Sequence, residues 1–141
     1  MQTQLEAAIK RFPVTKQVRV STYDIDYAGH VSNISYFRWL EDMRLLILDQ
    51  YFPLETLMQR GYMPIIVESQ IKYIKAITLF DNPQGDMWIS GITSATMTFT
   101  AEFQVRGEVV TRASHLGLFL NPKTMKPTRL PPEIVSAFKN Q

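Results

Sequence analysis

The clearest alternation near the start of the chain is Lys16-Gln17-Val18-Arg19-Val20-Ser21, a period of two that predicts a strand. Ahead of it, Leu5, Ala8 and Ile9 stand at helical spacing and predict a short leader helix that Pro13 ends. From Tyr23 to Ser32 the period is lost among Asp, Gly and Ser, which reads as a loop. Ser32 or Asn33 then offers an N-cap. Beyond it Ile34, Phe37, Leu40, Met43 and Leu45-Leu46-Ile47-Leu48 predict a helix with one broad apolar face, running to about Gln50. Because its last part is apolar without a break, this helix is expected to be enclosed by the rest of the fold. Leu54 to Arg60 predicts a further short helical turn before Gly61.

After Gly61 the period changes. Four apolar, β-branched or aromatic runs follow, at residues 63–77, 84–94, 96–106 and 109–121. Turn residues separate them: Asp81-Asn82-Pro83-Gln84-Gly85, a break near Ser94, and Arg106-Gly107-Glu108, where the Gly107-Glu108 pair marks a tight hairpin. Asn121-Pro122-Lys123-Thr124 closes the last strand, and residues 132–139 predict a terminal helix. One strand, one long apolar helix and four hairpin-linked strands predict an α+β domain: a five-stranded antiparallel sheet wrapped around one long central helix.

Composition narrows the picture. At 141 residues the chain is expected to be a single domain, residues 1–141, with no repeat or linker. It has no cysteine, which excludes disulfides, thiolate metal sites and a cysteine nucleophile. A net charge of +2, with its basic residues spread along the chain, does not suit nucleic acid as a partner. No signal peptide and no membrane-length apolar run are visible, so a cytoplasmic protein without a membrane span is expected.

The chemistry concentrates between Asp24 and Asn33. In an extended segment Asp24 and Asp26 would point the same way, which suits a metal pair or a shared proton as well as a nucleophile. No neighbouring residue completes a metal-ligand spacing, so no metal is expected. Asp26 lies seven residues before Asn33, at the first turn of the long helix. Unpaired N–H groups at a helix start polarise a carbonyl and hold a developing oxyanion. Gly29 permits a turn that brings Asp26 back over that end. A carboxylate so placed either attacks a bound thioester carbonyl or orients a water to do so. The bland alternative is that Asp and Gly before a helix are ordinary loop and cap residues. His30 reads equally as a loop hydrogen-bonder or a catalyst, and His115, in an alternating strand, reads as structural. Tyr36 and Trp39 read as packing, and Arg38, Asp42 and Arg44 as a solvated helical edge or inter-subunit pairs.

At these residues the sequence resembles the hotdog-fold thioesterases of the 4-hydroxybenzoyl-CoA thioesterase type, which include small acyl-CoA and acyl-carrier-protein thioesterases. The match runs from Val18-Arg19-Val20 through Asp24-x-Asp26-x-x-Gly29-His30-Val31-x-Asn33-x-x-Tyr36-x-x-Trp39-x-Glu41. Weaker similarity covers Pro64-Ile65-Ile66-Val67-Glu68-Ser69, Ile71-x-Tyr73-x-Lys75-Ala76 and Lys126-Pro127-Thr128-Arg129-Leu130-Pro131. The resemblance implies a hotdog fold, a homodimer or homotetramer with active sites between subunits, and hydrolysis of acyl-CoA or acyl-carrier-protein thioesters without a cofactor. It implies Asp26 as nucleophile or general base and the helix-start amide at Asn33 as the carbonyl's partner. Gly29 and His30 would shape the loop around substrate, and Tyr36 would line the acyl site. Lys72 and Lys75, with Arg106 and Arg112, would meet the phosphates of coenzyme A. The alternative from another class is a hotdog module that binds acyl-CoA or a partner without turnover. A dehydratase on the same fold is disfavoured, because the helix from Ile34 to Gln50 carries no histidine.

Overall fold

The computed structural model describes residues 10–140, so the leader helix expected around Leu5, Ala8 and Ile9 lies outside the described residues. Strand β1 (Arg11–Gln17) leads through a 3-10 turn (Thr22–Asp24) to helix α1 (Asn33–Tyr51) and short helix α2 (Leu54–Gln59). Four strands follow: β2 (Met63–Tyr73), β3 (Gln84–Ile92), β4 (Thr96–Val105) and β5 (Glu108–Asn121). A two-residue strand β6 (Lys126–Pro127) and helix α3 (Pro132–Lys139) end the chain. The order across the sheet is β1-β3-β4-β5-β2, antiparallel throughout, with β6 paired to β5. The expected five strands are therefore present, with β6 added at the end of β5.

β4 alternates buried and part-buried residues along its whole length, as a sheet covered on one face must. Its inward residues Met97, Phe99, Ala101, Phe103 and Val105 join Leu40, Met43 and Ile47 of α1 in the core. The helix lies very close to the sheet at Gly85, where a Cβ would stand 2.7 Å from Met43 Sδ and 3.1 Å from the Phe103 ring. A side chain there would force the thioether end of Met43 to shift within the core.

Four expectations need correction. The first strand is Arg11–Gln17 rather than residues 16–21, and Pro13 lies inside it. Proline is admissible there because β1 is an edge strand. The pairing with β3 is irregular between Arg11 and Val14, where Phe12 adopts a positive φ and packs its ring against Tyr51 and Phe52. Val18 and Val20 are buried as the alternation implied, but they lie beyond the strand. Second, β2 ends at Tyr73 rather than Ile77, because the amides of Ile74 and Lys75 both turn to the Val110 carbonyl. Third, the β4–β5 turn is made by Arg106 and Gly107, both at positive φ, and Glu108 already pairs with Val105. Two left-handed residues are what a two-residue type I′ hairpin requires.

The fourth correction bears on function. Helix α1 is not enclosed on all sides: Ile47 and Leu48 are buried, but Leu45 and Leu46 are each 36% exposed, and Ile34 and Phe37 are also exposed. A run of four apolar residues necessarily spans more than half the helix circumference, so some of them face away from the sheet. Among the described residues, no helix is long and apolar enough to cross a membrane.

Candidate active site

The loop between the 3-10 turn and α1 is a miniature hairpin. Ile25 and Val31 form a bridge, the Asp26 amide donates to the His30 carbonyl (2.8 Å), and the Gly29 amide donates to the Asp26 carbonyl (3.0 Å). Gly29 makes the turn with φ +82, and a Cβ there would meet nothing, so its role is conformational rather than steric. The Asp26 carboxylate folds over this turn, and its Oδ1 accepts from the amides of Ala28 (2.9 Å) and His30 (3.3 Å).

Asp24 and Asp26 do not point the same way, because the segment is not extended. The 3-10 turn buries Asp24, which is 4% exposed. Its Oδ2 accepts from the Ser21 amide (2.8 Å) and its Oδ1 from Ser35 Oγ (2.7 Å), while its carbonyl accepts from the Ser32 amide (2.8 Å). Asp24 thus ties the loop to the first turn of α1. The Val31 amide ties the same loop to the Ile77 carbonyl (2.9 Å). Replacing Asp24 with Ala would leave the Ser21 amide and the Ser35 hydroxyl without their acceptor, and should lower stability by about 2 kcal/mol in urea unfolding. A change below about 0.5 kcal/mol would show that the loop is held by other contacts.

Helix α1 begins at Asn33, three residues after the amide of His30 that Asp26 holds. Its first N–H groups, at Asn33 and Ile34, have no preceding helical turn to accept them. The helix dipole adds partial positive charge at the same place. The structure therefore ties Asp26, Gly29 and His30 into one turn that ends three residues before Asn33, with His30 and Asn33 exposed. Tyr36 stands one turn behind, 2% exposed, its ring packed edge-on against Trp39, Tyr73 and Phe103. Burial raises its hydroxyl above the usual tyrosine range, so it stays protonated.

The basic candidates are more scattered. Lys72 pairs across the sheet with Arg112, and the inward residues Tyr73 and Thr111 are their neighbours in register. Lys72 and Arg112 therefore point to the outer face, where both line an open groove. Lys75 pairs with Glu108 (3.0 Å), Arg106 with Asp81 (3.1 Å) and Arg112 with Glu102 (3.2 Å). Among the described residues no cluster of His, Asp or Glu could hold a metal ion.

The structure also shows a polar pair that sequence reasoning misplaced. Arg44 is not a solvated edge residue: its Nη1 lies 2.6 Å from His115 Nδ1 across the core, and Glu41 is 3.9 Å from its Nη2. A guanidinium only donates, so His115 accepts at Nδ1 and carries its proton on Nε2. His115 is 2% exposed, and its pKa is pushed down to about 4 by burial and, secondarily, by the charge of Arg44. In the unfolded chain it titrates near its ordinary value of about 6.5. Between those values the unfolded chain takes up a proton that the folded one refuses, so stability falls as pH drops from about 6.5 to about 4. The loss should reach roughly 3 kcal/mol. His115→Gln, which keeps an acceptor for Arg44, should flatten that part of the stability profile. An unchanged slope would place the titration elsewhere. The alternation of β5 indicates that His115 faces inward, but nothing local in the sequence shows that Arg44 reaches it.

With curled sheet and central helix in place, the molecule is a hotdog-fold thioesterase, a hydrolase of thioesters. More particularly, the chain belongs to the thioesterase-like superfamily, whose sequence model matches residues 20–138. No curated protein sequence matches it. Among solved structures it is similar to the DHNA-CoA thioesterase of Staphylococcus aureus (TM-score 0.83, 18% identity, 91% of this chain and 89% of that one). It is similar also to a thioesterase of Thermus thermophilus complexed with coenzyme A and zinc (TM-score 0.79, 19% identity, 90% and 92%). A third is the 1,4-dihydroxy-2-naphthoyl-CoA thioesterase of Synechocystis (TM-score 0.80, 16% identity, 91% and 96%).

Proposed function

We propose that the protein hydrolyses acyl thioesters of coenzyme A or of an acyl carrier protein, with Asp26 as the reacting carboxylate. The observation that supports this best is the miniature hairpin that fixes Asp26 Oδ1 on the Ala28 and His30 amides just before the start of α1. One carboxylate oxygen is thereby held while the other is left to react. Asp26 either attacks the thioester carbon, expelling the thiolate and leaving a mixed anhydride that water then opens, or takes a proton from the water that attacks. In both routes negative charge develops on the carbonyl oxygen, which the amides of Asn33 and Ile34 receive. The leaving thiolate has a conjugate acid of pKa about 8.5, so its departure needs no strong acid. A lone carboxylate and a helix end are sufficient for such an activated substrate.

Gly29 and His30 border the carbonyl site in this reading, and Tyr36 forms the wall behind it. The phosphates of coenzyme A would be met by Lys75, beyond the end of β2, and by Lys72 beside Arg112. We assign the assembly as a homodimer, or a tetramer of two such pairs, joined along β2. Among the described residues that strand has a hydrogen-bonded neighbour on one side only, and Ile34, Phe37, Leu45 and Leu46 of α1 are exposed. Light scattering coupled to size exclusion should return two or four chains.

The direct test is release of free thiol from a panel of aromatic, short-chain and long-chain acyl thioesters. Turnover of at least one class is expected. A panel inert at micromolar enzyme would favour a module that binds acyl thioesters without hydrolysing them.

A further inference from the structure

A cavity of about 500 Å³ lies between the middle of α1, helix α2 and the starts of β2 and β4. Its walls are apolar and adaptable: Leu45, Leu54, Met58, Met63, Met97 and Phe99. Three unbranched thioether side chains suit a flexible aliphatic occupant better than a rigid ring, because they repack around it. Its polar lining is confined to Glu41 and Arg44, on the helix at its mouth.

The cavity lies farther along the same helix whose start forms part of the candidate site. Ile34, Phe37, Glu41 and Leu45 follow one another at spacings of three and four along α1, so they form a single stripe that starts at the helix end and runs to the cavity. On the sheet side, β2 turns Tyr73, Ile71, Ser69 and, past its bulge, Ile66 in the same direction as Thr111, Ala113, His115 and Gly117 of β5. Ile34 and Phe37 of the stripe are 64% and 43% exposed, so an apolar surface runs along the helix from its start toward the cavity. It passes the Arg44–His115 pair where the Phe37 ring packs against that of His115.

The length of this path selects the acyl group. Glu41 at the mouth is eight residues from Asn33 and Leu45 twelve, or about 12 and 18 Å along the helix. A saturated chain of 1.52 Å bonds at tetrahedral angles advances about 1.25 Å per carbon. The mouth is then about ten carbons from the thioester carbonyl, and the interior about fourteen. An aromatic acyl group held at Asn33 would end well short of the cavity and leave it unfilled.

We infer that this cavity receives the tail of a saturated acyl group of about ten to fourteen carbons, lying along the Ile34–Phe37–Glu41–Leu45 stripe with its carbonyl at the start of α1. The inference rests on the proposed thioester hydrolysis for the carbonyl's position. Gly117 is the narrow point of the sheet wall: a Cβ there would stand 3.2 Å from the Phe99 ring and 3.4 Å from Ile66 Cδ1. Gly117→Val should therefore close part of the cavity. Met58→Trp does the same from α2, at a position 51% exposed that tolerates bulk without disturbing the core.

The test measures kcat/KM for saturated acyl-CoA from butanoyl to hexadecanoyl, with a benzoyl thioester alongside. For the unaltered protein it should rise with chain length, by up to about fourfold for each methylene that enters the cavity, and level off near dodecanoyl to tetradecanoyl. Met58→Trp, and Gly117→Val if it folds, should lower the dodecanoyl-to-butanoyl ratio by about tenfold or more. A flat profile, a preference for the benzoyl thioester, or a ratio untouched by Met58→Trp would overturn the assignment. Calorimetric binding of dodecanoyl-CoA and butanoyl-CoA to the Asp26→Asn variant separates the two proposals. Chain-length-dependent binding that Met58→Trp weakens, with no turnover in the unaltered protein, would uphold the cavity and remove the hydrolytic reading. Hydrolysis without chain-length dependence in either assay would do the reverse.

Discussion

Asp26→Asn should lower kcat for thioester hydrolysis about a thousandfold while leaving the fold intact. The amide oxygen of Asn replaces Oδ1 as acceptor for the Ala28 and His30 amides, so the loop keeps its shape. What is lost is the negative oxygen that attacks carbon or removes a proton from water. The effect should therefore fall on kcat rather than KM, since the bound carbonyl still meets the start of α1. Asp26→Ala, which removes the loop bonds as well, should lose at least as much activity and some stability. Thiol release, circular dichroism and a thermal melt on both variants decide the matter. Activity within threefold of the unaltered protein in the Asn variant would remove Asp26 from the mechanism.

The largest effect on stability is expected at Phe103. It is fully buried, and its ring lies 5.9 Å from that of Tyr36 and 5.7 Å from that of Trp39, centroid to centroid. Phe103→Ala leaves a void between the sheet and the first half of α1 and should cost about 3–5 kcal/mol. A domain of this kind has about 5–15 kcal/mol in all, so the melting temperature should fall by about 10 °C or more. The same void loosens Tyr36, the wall behind the helix start, so activity should fall at temperatures well below the melt. A loss under about 1 kcal/mol would mean that the three rings do not share one packed cluster.

Much of the fold was legible because its signals are local. The period-two runs of β3, β4 and β5 each bury one face, and the cap, spacing and length of α1 were readable to within a residue or two. The loop from Asp24 to Asn33 also announced itself, since carboxylates, a glycine and a helix start lay within ten residues. What stayed hidden depends on tertiary partners. Pro13 looks like a breaker until β1 is known to be an edge strand. Leu45 and Leu46 look like core until the helix is seen to have a side the sheet does not reach. The separate directions of Asp24 and Asp26 follow from a 3-10 turn and from Ser35, eleven residues away. The bond from Arg44 to His115 spans 71 residues and has no local trace.

The two ends of the sheet are unequal, and this sets a limit on growth. β1 carries a proline that has no N–H to donate, and its ladder is broken between Arg11 and Val14. β2 offers eleven residues of strand with one side untaken among the described residues. A molecule with two open sides could stack without end into a ribbon. One with a single open side can join another like itself only once along that edge, back to back through a twofold axis, and the product has blunt ends. Pro13 thus removes one donor from the β1 side, so β2 presents the longer uninterrupted edge for a strand to add to.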